Sequence, residues 1–248
     1  YVYEALSYNY IAFNLRQERF ADLAVRQAIT YGFDRQLYVE VIREGFGVVA
    51  NAPMPTASWA YTTEGIDEYK YNPELAAEML AQSGWTPGAD GILQKDGERL
   101  EFEFLVPDAD RLIEQMALLF QQNMDDLGIK VDLMFMEFSA AVDRVDAREF
   151  DLFTMGWSLS VDPDPHSIWH STSLWNDPGF FNSESDQLIE EGRAESDINT
   201  RKGIYAQWQQ LINRELPSMF LNYGVTLGAL NKRVQGIDPE PGPYGPLV

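Results

Sequence analysis

The chain has 248 residues, 45% hydrophobic and 13% aromatic, which supplies a substantial core and excludes a disordered chain. It carries 39 acidic residues against 18 basic ones, a net charge of -21 that repels phosphate backbones and argues against nucleic-acid binding. It has no cysteine, which excludes disulfides, thiolate catalysis and cysteine-ligated metals, and no apolar run of about 18 residues that could span a bilayer.

The aromatic stretch 8–15 (YNYIAFNL) predicts a strand. Asp22 predicts a helix cap, with a helix to about Thr30 that turns Leu23, Ala24, Ala28 and Ile29 inward and leaves Arg26 and Gln27 off that face. A second helix is expected from about Arg35 to Glu44, with Leu37, Val41 and Ile42 inward and Gly45 as its stop. A short extended piece at 48–50 leads to the loop 51–61 (NAPMPTASWAY). Its Pro53 and Pro55 forbid regular structure, while Met54, Trp59 and Tyr61 are large and apolar. Such a loop is either pinned to the core by its aromatics or presents them to a ligand.

Asn72 and Pro73 predict the start of a helix that runs to about Ser83, with Leu75, Ala76, Met79 and Leu80 inward and Gly84 as its end. Residues 91–94 and 100–106 are expected to pair across the tight turn Lys95-Asp96-Gly97. In the second of these, Leu100, Phe102 and Phe104 alternate with Glu101 and Glu103. A long amphipathic helix over 109–127 presents Leu112, Met116, Leu119, Phe120 and Leu127; Gly128 ends it, and 129–136 reads as the next strand. A short helix at 139–147 leads into a further strand from Phe150. This order predicts an α/β arrangement whose crossovers make strands parallel. Helices follow at 183–193 and 200–215, the second with Ile204, Trp208, Leu211 and Ile212 on one face and Pro217 as its stop. Short strands are expected at 219–222 and 227–230, then an extended tail rich in Pro and Gly over 238–246.

The strand from Phe150 organises the rest. Phe150, Leu152, Phe153 and Met155 meet no breaker before Gly156, and the chain then turns through Asp162-Pro163-Asp164-Pro165. A buried strand running out into a polar loop with an aromatic is where α/β proteins place ligands. Gly156–Asp164 is therefore the expected ligand-facing edge. Tryptophan is more often buried structure than ligand wall, and Trp59, Trp169 and Trp175 carry both readings. Trp157 differs because it follows a glycine at the end of the strand, where its ring can line a pocket. The backbone of Gly156, Trp157, Ser158, Leu159, Ser160 and Val161 offers N–H and C=O groups to which an extended peptide could add as a strand. Asp162 is placed to pair with a positive group, and Trp59 and Met54 of the proline loop are further wall candidates.

No GxSxG elbow, phosphate-binding loop or GxGxxG occurs, which favours a binding protein over an enzyme. The segment DPDPHSIWH sets Asp162 and Asp164 beside His166 and His170, the only two histidines. They could bind a metal if the histidines shared a helical turn. Asp-Pro pairs are also ordinary turn formers, and Trp169 between the histidines points to packing.

The segments YNYIAFNL with FADLAVRQAITYGFDRQLYVEVIREG, APMP followed by SW and Tyr61, YNPELAAEMLAQSGW, DGILQKDGERLEFEF, FFNSESDQLI and ELPSMFLNYG run over nearly the whole chain. Together they resemble the dipeptide/oligopeptide-binding family of extracellular solute-binding proteins, the receptors of peptide ABC importers. The resemblance implies an α/β fold, one lobe of a periplasmic-binding-protein-like fold of type II, cluster C, with a central mixed sheet flanked by helices. Residues 1–248 would be a single lobe of a two-lobed receptor, the one distal to its N terminus, and about 236–248 would lead back towards the other lobe. The chain starts at Tyr1 and ends on GPYGPLV, so the expectation is a fragment without its targeting segment.

The resemblance further implies no enzymatic activity and no cofactor. Its implied partners are a peptide ligand, the permease subunits of an ABC transporter and the remaining lobe of the same polypeptide. The implied location is the extracellular face of the cell membrane, lipid-anchored in the full-length protein, or the periplasm. In dipeptide-binding relatives an aspartate after the Gly-Trp pair holds the peptide's amino terminus. In GWSLSVDPDP the nearest position is Ser160, in a loop one residue shorter. Either Asp162 takes over that charge or a longer peptide is held mainly by backbone contacts. The form GWSL with DPDP and SIWHS is most similar to the oligopeptide-binding branch. The wider family includes receptors for nickel complexes, haem and oligosaccharides, so another solute is the alternative ligand. A metal-dependent hydrolase built on His166, His170, Asp162 and Asp164 is the alternative from a different class.

Overall fold

The computed structural model describes residues 2–108, 110–229, 231 and 233. In chain order the elements are β1 (Val2–Phe13), α1 (Glu18–Ala21), α2 (Leu23–Gly32), α3 (Arg35–Leu37) running into a π-helical turn at Tyr38–Ile42, and β2 (Val48–Val49). There follow α4 (Pro73–Gln82), β3 (Thr86–Pro87), β4 (Leu93–Lys95), β5 (Glu98–Arg99), β6 (Glu101–Pro107), α5 (Arg111–Asp126), β7 (Lys130–Met136) and α6 (Phe138–Asp146). The last are β8 (Leu152–Ser158), α7 (His166–Trp169), α8 (Ser183–Ala194), α9 (Ile198–Glu215) and β9 (Ser218–Leu227).

A six-stranded sheet in the order β2-β9-β1-β8-β6-β7 forms the centre. It is mixed: β6 pairs in parallel with β7 and β8 through the crossovers α5 and α6, while β1 is antiparallel to β8 and β9. Helices cover both faces. Ile11, Phe13, Phe104 and Leu152 pack under α2, α4 and α5. Tyr8, Tyr10 and Phe153 pack under α6, α8, α9 and the proline loop. This is the central mixed sheet flanked by helices that the resemblance implied.

The helix starts follow local chemistry. Asp22, Asn72 and Asp110 each accept backbone N–H groups of the turn they open. Five expectations need correction. Arg26 is buried, not turned out. Its guanidinium donates to the carbonyls of Phe20, Ala21, Glu215 and Leu216, closing the ends of α1 and α9, and burial lowers its pKa to about 10. In the second helix the π-helical turn rotates the inward face onto Arg35, Tyr38 and Val39, leaving Leu37 40% and Val41 63% exposed. Along α5 the fully buried stripe is Met116, Ala117, Phe120 and Met124, and Leu112 is 37% exposed.

The hairpin is also shorter than expected. β4 pairs with β3 and β5 in a separate three-stranded sheet, and residues 101–107 cross into the main sheet because Phe104, Leu105 and Val106 bury both faces. Finally, the two expected strands at 219–222 and 227–230 are one strand, β9; Leu230 and the tail 234–248 lie outside the described residues. Gly224 permits this continuity, since a Cβ there would come 2.1 Å from Ser7 Oγ on the adjoining strand.

Candidate ligand-binding site

The geometry of β8 sets the site. Leu159 N donates to Leu6 O at 2.7 Å and Asn14 N donates to Asp151 O at 3.0 Å. These two bonds fix the antiparallel alternation, so the odd-numbered residues of β8 bond to β1 and the main-chain groups of Gly156 and Ser158 point to the other side. On that side β6 pairs only with Leu152 and Phe153. Beyond Phe153 no strand among the described residues lies beside that edge of β8, and Gly156 and Ser158 are exposed. The strand runs past Gly156, where the sequence reading ended it, to Ser158.

Side chains alternate across this open end. Trp157 and Leu159 face a cavity of about 130 Å³ whose wall includes Tyr8, Met54, Ile168, Trp169 and Trp175. The Trp157 and Trp175 rings lie 5.6 Å apart at 43°. The Tyr8 hydroxyl is buried there beside Trp169, without a well-formed hydrogen bond among the described residues, and burial pushes its pKa far up. Thr154 and Gly156 face a second cavity, about 190 Å³, on the opposite side of the sheet. A Cβ on Gly156 would sit 2.5 Å from Asn9 Oδ1, so the close approach of Asn9 requires glycine. Arg43 lines this cavity, its Nε donating to Phe46 O at 3.0 Å and its guanidinium 6.0 Å from the Tyr38 ring centre. Among the described residues no carboxylate forms an ion pair with Arg43. Asp110, on the same wall, accepts from the Leu112 and Ile113 amides at the start of α5.

The loop after β8 is tied to the helices behind it. Arg201 donates to both oxygens of Asp162, at 2.6 and 3.1 Å, and this bond raises the arginine's pKa. Arg201 also donates to Gly192 O at 2.7 Å and lies 5.6 Å from the Trp59 ring centre. Arg193 pairs with Asp164 at 3.0 Å. Ser160 Oγ donates to the carbonyl of Asp162 at 2.7 Å.

Of the predicted site residues, Met54, Trp157, Ser158, Leu159, Ser160 and Asp162 gather at the first cavity. Gly156 faces the second, Val161 is 54% exposed beside neither, and Trp59 lies under Arg201. Sequence reasoning missed Tyr8, Arg43 and Arg201 as site residues. Period-two alternation through β1 could have placed Tyr8; no local signal marks either arginine.

The two histidines do share a turn, with rings stacked 4.4 Å apart. His170 is buried and bonded, its Nδ1 to Thr172 Oγ1 at 2.8 Å and its Nε2 to Glu190 at 3.4 Å. Both aspartates face arginines instead. Among the described residues no group of three or more His, Asp or Glu is placed to hold a metal ion.

The profile described as "Bacterial extracellular solute-binding proteins, family 5 Middle" matches residues 1–178. The oligopeptide-binding protein AppA of Bacillus subtilis is 34% identical over 244 residues, covering 96% of this chain and 45% of that protein. The structure of that AppA in complex with a nonapeptide superposes with a TM-score of 0.87, covering 91% of this chain and 46% of its own. NikZ from Campylobacter jejuni in complex with Ni(L-His) superposes at 0.83 with 28% identity, covering 91% and 46%. The chain thus spans a little under half the length of these relatives. It belongs to the bacterial extracellular solute-binding proteins of family 5.

Proposed function

We propose that this chain is the ligand-binding lobe of a two-lobed receptor that takes oligopeptides between its lobes and delivers them to the permease of an ABC importer. The observation that carries this reading is the open edge of β8. Pairing with β6 stops at Phe153, and among the described residues no strand takes up the N–H and C=O groups of Gly156 and Ser158 beside an aromatic-walled cavity. A peptide adding there gains main-chain hydrogen bonds that any sequence can make. The relationship to AppA, whose structure holds a nonapeptide, supports the same ligand class. Trp157 and Met54 wall one side, and Arg43 is available to a carboxylate of the ligand on the other.

The start of β1 and the end of β9 run side by side, Val2 opposite Leu227, which suits a lobe reached by two adjacent strands. The second lobe belongs to the same polypeptide and closes over the ligand by a hinge motion. The receptor is not an enzyme, and it works at the outer face of the cell membrane, lipid-anchored, or in the periplasm. Among the described residues no helix is long and apolar enough to cross a membrane.

Mass spectrometry of the full-length parent, native and then denatured, tests the reading. A ladder of co-purifying peptides of mixed sequence is expected. A nickel complex, a haem or a sugar in their place would overturn the peptide assignment and leave the fold untouched.

A further inference from the structure

Among the described residues, the loop Asp162-Pro163-Asp164-Pro165 carries the only charged side chains that line the Trp157 cavity. In a chain with 39 acids and 18 bases, two bare carboxylates at a ligand site would be the simple expectation. The fold supplies a cation to each. Arg193, in the last turn of α8, meets Asp164 at 3.0 Å; Arg201, in the first part of α9, meets both oxygens of Asp162. Arg201 is the fixed partner of its pair, 17% exposed against 58% for Asp162. It is held by Gly192 O, by the Tyr205 hydroxyl at 3.0 Å, and against the rings of Trp59 and Tyr205. One side chain therefore joins the proline loop, the ligand loop and the junction of α8 with α9.

We infer that Arg193 and Arg201 make the ligand loop charge-neutral, so that the Trp157 cavity takes an uncharged apolar group and does not read a peptide's terminal ammonium. Arg201 acts as the positioning residue. A bidentate pair has no net charge, so the Arg201 guanidinium offsets the attraction of Asp162 for an ammonium. The remaining wall of Tyr8, Met54, Ile168, Trp169 and Trp175 offers no anion, and placing an unpaired ammonium against it costs far more than an aliphatic group. This inference rests on the peptide reading.

The test uses the full-length receptor and the most abundant peptide that co-purifies with it, synthesised with free and with acetylated amino termini. Calorimetric Kd values for the two forms should agree within about threefold, less than half a decade in affinity. A loss of about tenfold or more on acetylation would overturn the inference. In Arg201→Met the bare Asp162 should favour the free form by about fivefold, the range of an exposed ion pair, and Arg201→Lys should return the ratio towards one. An unchanged ratio in a folded Arg201→Met protein would also overturn it. If neither form binds, the peptide reading itself fails, an outcome distinct from a shifted ratio.

Discussion

The two cavities beside the open end of β8 share a strand and treat charge in opposite ways. On the Trp157 side both carboxylates are matched by arginines of the same chain. On the Gly156 side Arg43 has no carboxylate partner among the described residues, and Asp110 is turned to the amides of α5. A ligand extended along this edge would place alternate side chains against an aromatic neutral wall and a cationic one. The difference teaches that an acidic protein can mark a position by where it leaves a rare cation unpaired.

The largest expected effect removes the neutral wall. Trp157→Ala in the full-length receptor should weaken peptide binding by about 30-fold, the scale of a truncated aromatic hot spot. Affinity within a factor of two of the parent would show that the ring does not wall the ligand. Arg43→Gln attacks the other side and should cost about tenfold for a peptide whose carboxylate it pairs with. The loss should vanish when that carboxylate is amidated. An equal loss for both forms would assign Arg43 to structure rather than to charge recognition.

The neutral wall can also be probed through stability. The Tyr8 hydroxyl is buried beside Trp169 without a well-formed hydrogen bond among the described residues, so Tyr8→Phe removes a desolvated polar group and leaves the ring packed. Urea unfolding should give a stability equal to the parent's or up to about 1 kcal/mol higher. A loss of more than about 1 kcal/mol would mean that the hydroxyl has a partner and that this wall is polar.

The sequence told some of these features apart from others for physical reasons. Caps at Asp22 and Asn72 and the breakers Gly84 and Gly128 act within a few residues, so reading them in order suffices. Phe150 to Met155 and Trp157 were legible because a buried strand and its exposed end have a local pattern. Arg26 and Arg35 were not. An apolar-face rule turns arginine outward, whereas these two sit where carbonyls from distant segments converge, Arg35 on Ala50, Glu68, Tyr69 and Phe220. The same reason hid Arg201, which is 39 residues from Asp162. Ending the strand at Gly156 also concealed that Gly156 and Trp157 face different cavities.

The smallest effect concerns pH, and it should touch one cavity only. His166 opens α7, whose Ile168 and Trp169 wall the Trp157 side. Burial lowers its pKa first, followed by Arg193 and the stacked His170, against the opposing pull of Asp164 and Glu190. A histidine depressed in the folded state adds stability that is present above its unfolded pKa of about 6.5 and is lost as pH falls through the folded value. Acidification should therefore loosen α7 and weaken binding at the Trp157 wall, leaving the contribution of the Arg43 side unchanged. With two histidines in the chain, their imidazole proton signals can be followed individually by NMR. His166 should titrate below the ordinary imidazole value. Titration at or above it would remove the coupling between pH and this wall.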